Sequence, residues 1–297
     1  VTAPRRVLAN ATSLVTRRCS ERRFFLRPSP VANAIFQYVL ALAASRYGVL
    51  VHAYCVLSNH YHLLITDPGA RLPEFTQYLD SLVARAVNAT IGHFEGFWSS
   101  GTSYSAVTPV TLEDVIGKAV YVLANPVAAG LVQSGAEWPG VWSAPDLVGS
   151  APIVAPRPKV FFREDGYLPA SVELRLTPPP GFTAAEFRDQ LGRALTSRER
   201  QLRREFAAEG RSFLGVRRVL AQRPHARPAP GEPRFELNPR VAARDRWKRM
   251  EAIGRLREFL AEYRKAWTAL RAGAAGVVFP AGTYRLRVMH GVACAAA

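Results

Sequence analysis

Between residues 55 and 65 the chain reads Cys55-Val56-Leu57-Ser58-Asn59-His60-Tyr61-His62-Leu63-Leu64-Ile65, an apolar run with strand character holding two histidines. Successive side chains of an extended strand point to opposite faces, so positions i and i+2 share one. His60 and His62 therefore project together, while Tyr61 packs on the other side. The two histidines sit at the end of what reads as a buried element. Two imidazoles side by side on a rigid strand are half of a metal site, histidine being the commonest metal ligand. The same pair also reads as hydrogen-bonded core or edge residues, and the strand alone leaves both readings open.

A second segment bears on that choice: Val120-Tyr121-Val122-Leu123-Ala124-Asn125-Pro126-Val127-Ala128-Ala129-Gly130-Leu131-Val132. Ahead of it, Thr111-Leu112-Glu113-Asp114 is a helix start, a threonine cap followed by early acids. Leu112, Val115, Ile116, Ala119, Val120 and Leu123 recur at helical spacing. Tyr121 and Asn125 lie four apart and share a face if the helix persists that far. Pro126 disfavours the helical conformation at Asn125, which makes this the weakest geometric step. Taken alone, Tyr121 reads as a half-buried packing tyrosine.

Together these segments resemble a family. The run from Ala53 to Leu64 with Asn59-His60-Tyr61-His62, then Phe97-Trp98, then Tyr121-x-x-x-Asn125-Pro126-Val127-x-x-Gly130-Leu131-Val132, then Trp138-Pro139-x-x-Trp142-Ser143, is similar to the REP-associated tyrosine transposases. These belong to the single-tyrosine HUH transposases of bacterial insertion sequences. The resemblance spans residues 1–148, with the motifs in the family's order; Ser58 stands where proline is commoner. It implies a ferredoxin-like nuclease domain that cuts and rejoins single-stranded DNA at hairpin-bearing repetitive palindromes. By the same resemblance, Tyr121 is the nucleophile, and His60 and His62 ligate a divalent ion, magnesium or manganese. Asn125 takes the place of the third ligand.

The residue types suit that chemistry. A phosphodiester cut in line needs a nucleophile, a clamp for charge on the phosphate oxygens, and help for the leaving group. A bound cation serves the second and third needs as a Lewis acid. Phenols ionise near about pH 10, so a tyrosine nucleophile needs a base or nearby positive charge. Attack would give a 5′-phosphotyrosine and a free 3′-hydroxyl, and a second 3′-hydroxyl could then reverse the step on another strand. Two neutral imidazoles and a neutral amide leave the ion its full charge for phosphate. Imidazole also suits zinc, so the ligand set alone does not settle the metal.

Charge points to a nucleic-acid partner and places it away from the motifs. Residues 1–150 carry 11 Lys and Arg against 9 Asp and Glu, and residues 151–297 carry 28 against 14, so +14 of the net +16 lies in the second half. Sequence-independent DNA affinity comes mainly from phosphate neutralisation, which makes this half the expected backbone-gripping surface. A solvated, arginine-rich coat is the alternative. Candidate nucleic-acid contacts are Arg17, Arg18, Arg22 and Arg23 in the turn after the first strand, which read equally as solvated, Trp98, which reads equally as a stacking ring or as core, and Arg203 and Arg204.

The fold expected is α+β. Residues 13–16 form a first strand and 31–47 an amphipathic helix. Strands follow at 49–56 and 61–66, then a helix over 72–90 with Phe75, Leu79, Leu82, Val83 and Ala86 on its buried stripe. An antiparallel sheet with two helices on one face is the ferredoxin-like arrangement. Pro- and Gly-rich segments between residues 142 and 159 separate a nuclease domain, 1–148, from a basic, mainly helical accessory region, 149–297. In that region Thr183-Ala184-Ala185-Glu186 is a capping box opening a helix to about residue 207. After a linker over residues 223–233, Asn238-Pro239 is expected to cap a long helix to about residue 271, packed by Trp247, Met250, Phe259, Tyr263 and Trp267. Residues 276–288 read as turn plus strand.

Cys19, Cys55 and Cys294 lack paired metal spacing and suggest a reducing compartment without disulfides. No apolar run approaches the ~20 residues that span a bilayer, and no signal-peptide core is apparent, so a cytoplasmic, nucleoid-associated protein is expected. The chain opens on Val1 rather than Met, which leaves room for preceding residues or an unusual start codon. The oligomeric state, monomer or homodimer, stays open. Two alternatives stand beside the transposase: a non-cleaving binder of DNA or RNA hairpins, and a metal-dependent phosphodiesterase that uses water.

Overall fold

The computed structural model describes residues 4–101, 103–229 and 239–296. Strand β1 (Ala11–Arg18), helix α1 (Pro30–Tyr47), strands β2 (Leu50–Leu57) and β3 (His60–Asp67), helix α2 (Leu72–Ile91) and strand β4 (Ser105–Pro109) come first. Ser29 caps α1 by accepting from the Ala32 N–H, and Gly48 ends it at φ 66°. Asp67 Oδ2 accepts from the Leu72 N–H and so starts α2. The strands lie in the order β2-β3-β1-β4, all pairs antiparallel, and a two-residue strand β7 (named in chain order, Val241–Ala242) adds in parallel to β4. This is the ferredoxin-like α+β arrangement that the alternating pattern leads one to expect.

Strand β3 is central, with His62 opposite Thr16 on one side and Cys55 on the other. Helices α1 and α2 cover the Tyr61 face. The Tyr61 ring meets Phe36 at 5.3 Å between centroids, and its hydroxyl donates to Asp80 Oδ1 at 2.7 Å. Helix α3 (Leu112–Leu123) covers the opposite face, against β2, β3 and β4. A reciprocal capping box between Thr111 and Asp114 starts it. It runs through Ala124, still helical at φ −79° and ψ −4°, into the single turn α4 (Asn125–Ala128). Pro126 sits in the first turn of α4, where its missing N–H costs nothing. The outer edge of β2 is covered by residues 141–143, through Val56 N–H to Val141 O and Ser143 N–H to Tyr54 O. That cover removes an exposed sheet edge.

Beyond residue 148, strands β5 (Ile153–Pro156) and β6 (Ser171–Leu174) pair with each other and pack on α1. Helix α5 (Ala184–Ala208) opens on the Thr183–Glu186 capping box and lays Phe187, Leu191, Leu195, Leu202 and Phe206 inward, much of it on α3. One apolar core thus runs from Val7 to Val219, in the short helix α6 (Val216–Leu220), across the Pro- and Gly-rich path near residue 148. Glu199 on α5 is buried. It accepts from the Gly135 N–H at 2.7 Å and the Ser134 hydroxyl at 3.2 Å. Gly130 turns at φ +69°, where an added Cβ would stand 2.8 Å from the Phe206 ring.

The last third departs from expectation in three ways. Helix α7 (Arg246–Arg271) starts later than Asn238-Pro239 suggests, with Asp245 accepting from the Lys248 N–H. Asn238 itself lies outside the described residues, and residues 241–242 are committed to the sheet as β7. The aromatic stripe is split: Phe259 is buried with Ala252 and Ala266, whereas Trp247 is 74% exposed. Residues spaced seven apart form the inward face, and Trp247 and Met250 fall outside it. The tail forms a helix, α8 (Arg285–His290), in place of a strand, because one helical turn lays Leu286 on Phe279 and Ala266. Cys19, Cys55 and Cys294 are free thiols. Among the described residues no helix is long and apolar enough to cross a membrane.

His52, at the bulge of β2, is fully buried. Its Nδ1–H donates to Thr177 O at 2.8 Å and its Nε2 accepts from the Thr66 hydroxyl at 2.8 Å. Burial pulls its pKa from 6.5 to about 4. The unfolded chain binds this proton more readily, so stability is full above pH 6.5 and is lost as pH falls toward 4. The loss from this residue amounts to roughly 3 kcal/mol. Denaturant titrations across that range should give a slope that flattens in His52→Gln; an unchanged slope contradicts this account. Glu199→Ala should lower stability by about 1–3 kcal/mol, because two donors lose their buried acceptor. A urea midpoint equal to that of the parent chain would rule it out.

Candidate active site

His60 and His62 stand on one face of β3 with ring centroids 4.7 Å apart and planes at 89°. His62 is buried and held at both nitrogens. Asn125 Nδ2 lies 3.2 Å from Nε2, and Thr16 Oγ1 lies 2.7 Å from Nδ1. A neutral imidazole donates from one nitrogen and accepts at the other. Nε2 therefore accepts from Asn125, and Nδ1–H donates to Thr16. Burial first, then the charges of His60 and Arg18, hold the His62 pKa well below its ordinary value. The ring stays neutral at physiological pH, with its Nε2 lone pair on the helix side. His60, half-buried, has its Nδ1 2.7 Å from Asn59 Oδ1.

Helix α3 brings the rest. The Tyr121 ring lies edge-on to His62, 5.1 Å between centroids at 77°. Tyr121 is 47% exposed, so a ligand can reach it. Asn125 joins it over His62, because α3 continues as helix through Ala124 into α4. The helical step that Pro126 made doubtful is therefore taken. Trp142 Nε1–H donates to Leu123 O at 3.0 Å and Trp138 Nε1–H to Val56 O at 2.9 Å, which ties this helix end and β2 to one loop.

Two imidazoles and an amide fit a divalent cation as donors. A half-turn of the Asn125 amide puts Oδ1 where Nδ2 now faces His62. The Thr16 contact supplies the outer hydrogen bond that metal-binding histidines commonly have. Among the described residues, no three His, Cys, Asp or Glu side chains converge. The donor set is thus neutral, and no carboxylate is part of it.

The structure separates the expected nucleic-acid residues. Arg18 is exposed and pairs in register with His60, on the imidazole face. Arg17 points the other way, where its Nε lies 3.5 Å from Asp80 Oδ2 with both side chains 13% exposed. Arg22 is exposed in the loop whose carbonyl accepts from Asn59 Nδ2, and Arg23 reaches Glu21 and the His225 carbonyl. Trp98 lies on the Tyr61 face, donating from Nε1 to Asp80 O at 2.9 Å, and so takes no part in the imidazole site. Arg203 donates to Gln133 O at 2.8 Å, and Arg204 is exposed.

Sequence reading missed two residues here. Thr16 orients His62, and only strand pairing brings them together. Lys118, half-buried, places its ammonium 5.8 Å from the Tyr121 ring centroid. Burial holds its pKa below the ordinary lysine value. Its i, i+3 spacing from Tyr121 was the available signal.

No protein-family model matches the chain, and no curated protein does. Among solved structures, a REP-associated tyrosine transposase bound to a REP hairpin is similar, at 15% identity and TM-score 0.41, over 47% of this chain and 81% of the other. A protein assigned as a transposase in Deinococcus radiodurans R1 is similar at 20% identity and TM-score 0.29, over 36% of this chain and 85% of its own. Neither likeness decides the chemistry, which rests on the side chains described above.

Proposed function

We propose that this chain is a single-stranded DNA endonuclease and strand transferase, acting through a 5′-phosphotyrosine at Tyr121 on hairpin-bearing repetitive palindromes. The observation that carries this reading is the seating of the Tyr121 ring on His62, 5.1 Å between centroids, with Asn125 beside it. On this reading residues 1–148 carry the chemistry and residues 149–297 add a basic accessory region, joined to the first by a shared apolar core.

A divalent ion, magnesium or manganese, would be held by His60, His62 and Asn125 and would supply Lewis-acid charge for phosphate oxygens. Tyr121 Oη attacks phosphorus in line. The bond from that oxygen to phosphorus forms, and the bond to the 3′ oxygen breaks. The 3′ oxygen leaves with the electron pair and takes a proton to become a hydroxyl. The phenol proton passes to water during the attack, and the Lys118 ammonium, 5.8 Å from the ring centroid, adds positive charge for the phosphate. Exposed Arg18, in register with His60, would pair with a strand phosphate. The link to Tyr121 preserves the phosphoester, so another 3′-hydroxyl can reverse the step. The +14 excess of the second half supports a sequence-independent grip on the backbone. Exposed Trp247 beside Lys248 and Arg249 on α7 suits base stacking. Such an enzyme works at the nucleoid in the bacterial cytoplasm.

A labelled hairpin oligonucleotide with manganese should give a covalent adduct on a denaturing gel, absent in Tyr121→Phe and in His60→Ala. Cleavage that survives Tyr121→Phe would point instead to water as the nucleophile, and hairpin binding with no adduct in the parent chain to a non-cleaving binder. The ion site has its own readout. Manganese binding, followed by water proton relaxation, should weaken ~10–100-fold in Thr16→Val, which loses the bond that orients His62. Affinity equal to that of the parent chain in both Thr16→Val and His60→Ala would remove these residues from metal binding.

A further inference from the structure

The sheet face turned away from the histidines holds a second candidate site, one that strand cleavage does not use. Val15 pairs with Ala106 there, in alternation with Thr16 and Ser105 on the imidazole side. Between this face, the start of α2 and helix α7 lies a cavity of about 370 Å³. That is within the ~300–1,000 Å³ usual for small-molecule sites. Leu8, Leu72, Val110 and Leu256 contribute apolar wall.

The charged lining is lopsided. Arg5, Arg6, Arg240 and Arg255 face the cavity with Asp67 as the one carboxylate. Arg255 is paired outside with Glu251 at 3.1 Å. Arg5 and Arg240 have no carboxylate partner among the described residues. Arg5 Nη2 donates to Ser103 Oγ at 3.0 Å and to the Tyr104 carbonyl, and its guanidinium lies 3.6 Å from the Tyr104 ring centroid. Its Nη1 is buried and makes no hydrogen bond of normal geometry among the described residues, while the Tyr104 hydroxyl lies beside Arg5 and Thr76. Burial, then the neighbouring Arg5 charge, hold the Arg240 guanidinium below the ordinary arginine value. Two like charges kept together, one of them with a buried N–H left unmatched, favour an anion between them. Asp67 adds the opposite requirement. Its Oδ2 caps α2 through the Leu72 N–H, and its buried Oδ1 makes no hydrogen bond of normal geometry among the described residues, so it is able to accept from a ligand N–H.

We propose that this cavity binds a nucleotide, with its phosphate on Arg5 and Arg240, its base between the apolar walls, and Asp67 accepting from a base N–H. Inorganic phosphate would satisfy the arginines and leave both the apolar walls and Asp67 unused. The ligand can be a free mononucleotide or one nucleotide of a single strand, since both present the same groups. The site is independent of whether Tyr121 cuts DNA.

The test uses the full chain in EDTA, so that no divalent ion contributes. Calorimetry with dAMP and with a 5′-phosphorylated trideoxyadenylate should register binding, and deoxyadenosine, which lacks the phosphate, should bind at least tenfold more weakly than dAMP. Arg240→Ala should weaken dAMP at least tenfold, with Arg240→Lys in between because it keeps the charge and loses the fork. A trinucleotide tighter than dAMP and displaced by it would assign the cavity to a strand, and the reverse order would assign it to free nucleotides; each outcome supports the site. Independently of any variant, dAMP should raise the melting temperature of the parent chain and inorganic phosphate at equal concentration should not. Absence of binding to both probes at millimolar concentration, affinity unchanged in Arg240→Ala, or phosphate matching dAMP would overturn the proposal.

Discussion

The pairing of β3 on both of its edges is the constraint on which the rest depends. A strand hydrogen-bonded to β1 and β2 along its length cannot twist to re-aim its side chains, so His60 and His62 share a face by necessity. Tyr61 is sent to the other face by the same rule, where Phe36 and Asp80 receive it. One alternation thus supplies both a polar site and an anchor in the core. His62 gains a further restraint from Thr16 and Asn125, which leave its buried ring one orientation.

Everything else in the site is delivered to that strand by helix α3, and helix α3 is held from behind. Helix α5 packs its Phe187, Leu191 and Leu195 stripe inward, and Phe206 closes over Gly130 beyond the Asn-Pro turn. Glu199 ties α5 to the loop at Gly135, while Trp142 ties that loop to the last turn of α3. The second half of the chain therefore does two things with one helix. Its apolar stripe buttresses the tyrosine helix, and Arg200 and Arg204 stand exposed on its outer side, while Arg193, Arg198 and Arg203 pair with acids of the same helix. Charge alone suggests only the second role.

Much of this was legible in the sequence, for local reasons. Strand alternation at His60-Tyr61-His62, the Thr111 and Thr183 caps, and the apolar stripe of α2 are governed by neighbours within a few residues, and all appear as the pattern implies. The readings that moved were those in which two local patterns fit equally. Leu286 and Val288 alternate like a strand, yet the contact with Phe279 made a helical turn. Arg17 and Arg18 look equivalent as a basic pair, but alternation buries one against Asp80 and exposes the other beside His60. Trp98 looks like a stacking ring until Asp80 claims its N–H.

By itself the sequence determined which residues share a face and where helices begin, because those follow from backbone geometry and short-range hydrogen bonds. It determined the paired imidazoles, the helix carrying Tyr121 and the lopsided charge. Only the tertiary structure decided that Tyr121 and Asn125 meet His62, that Thr16 aims the ring, and that Arg5 and Arg240 share a cavity on the far side. Those contacts join segments tens to hundreds of residues apart, and they exist because burying the apolar faces of sheet and helices leaves one way for the polar groups to converge.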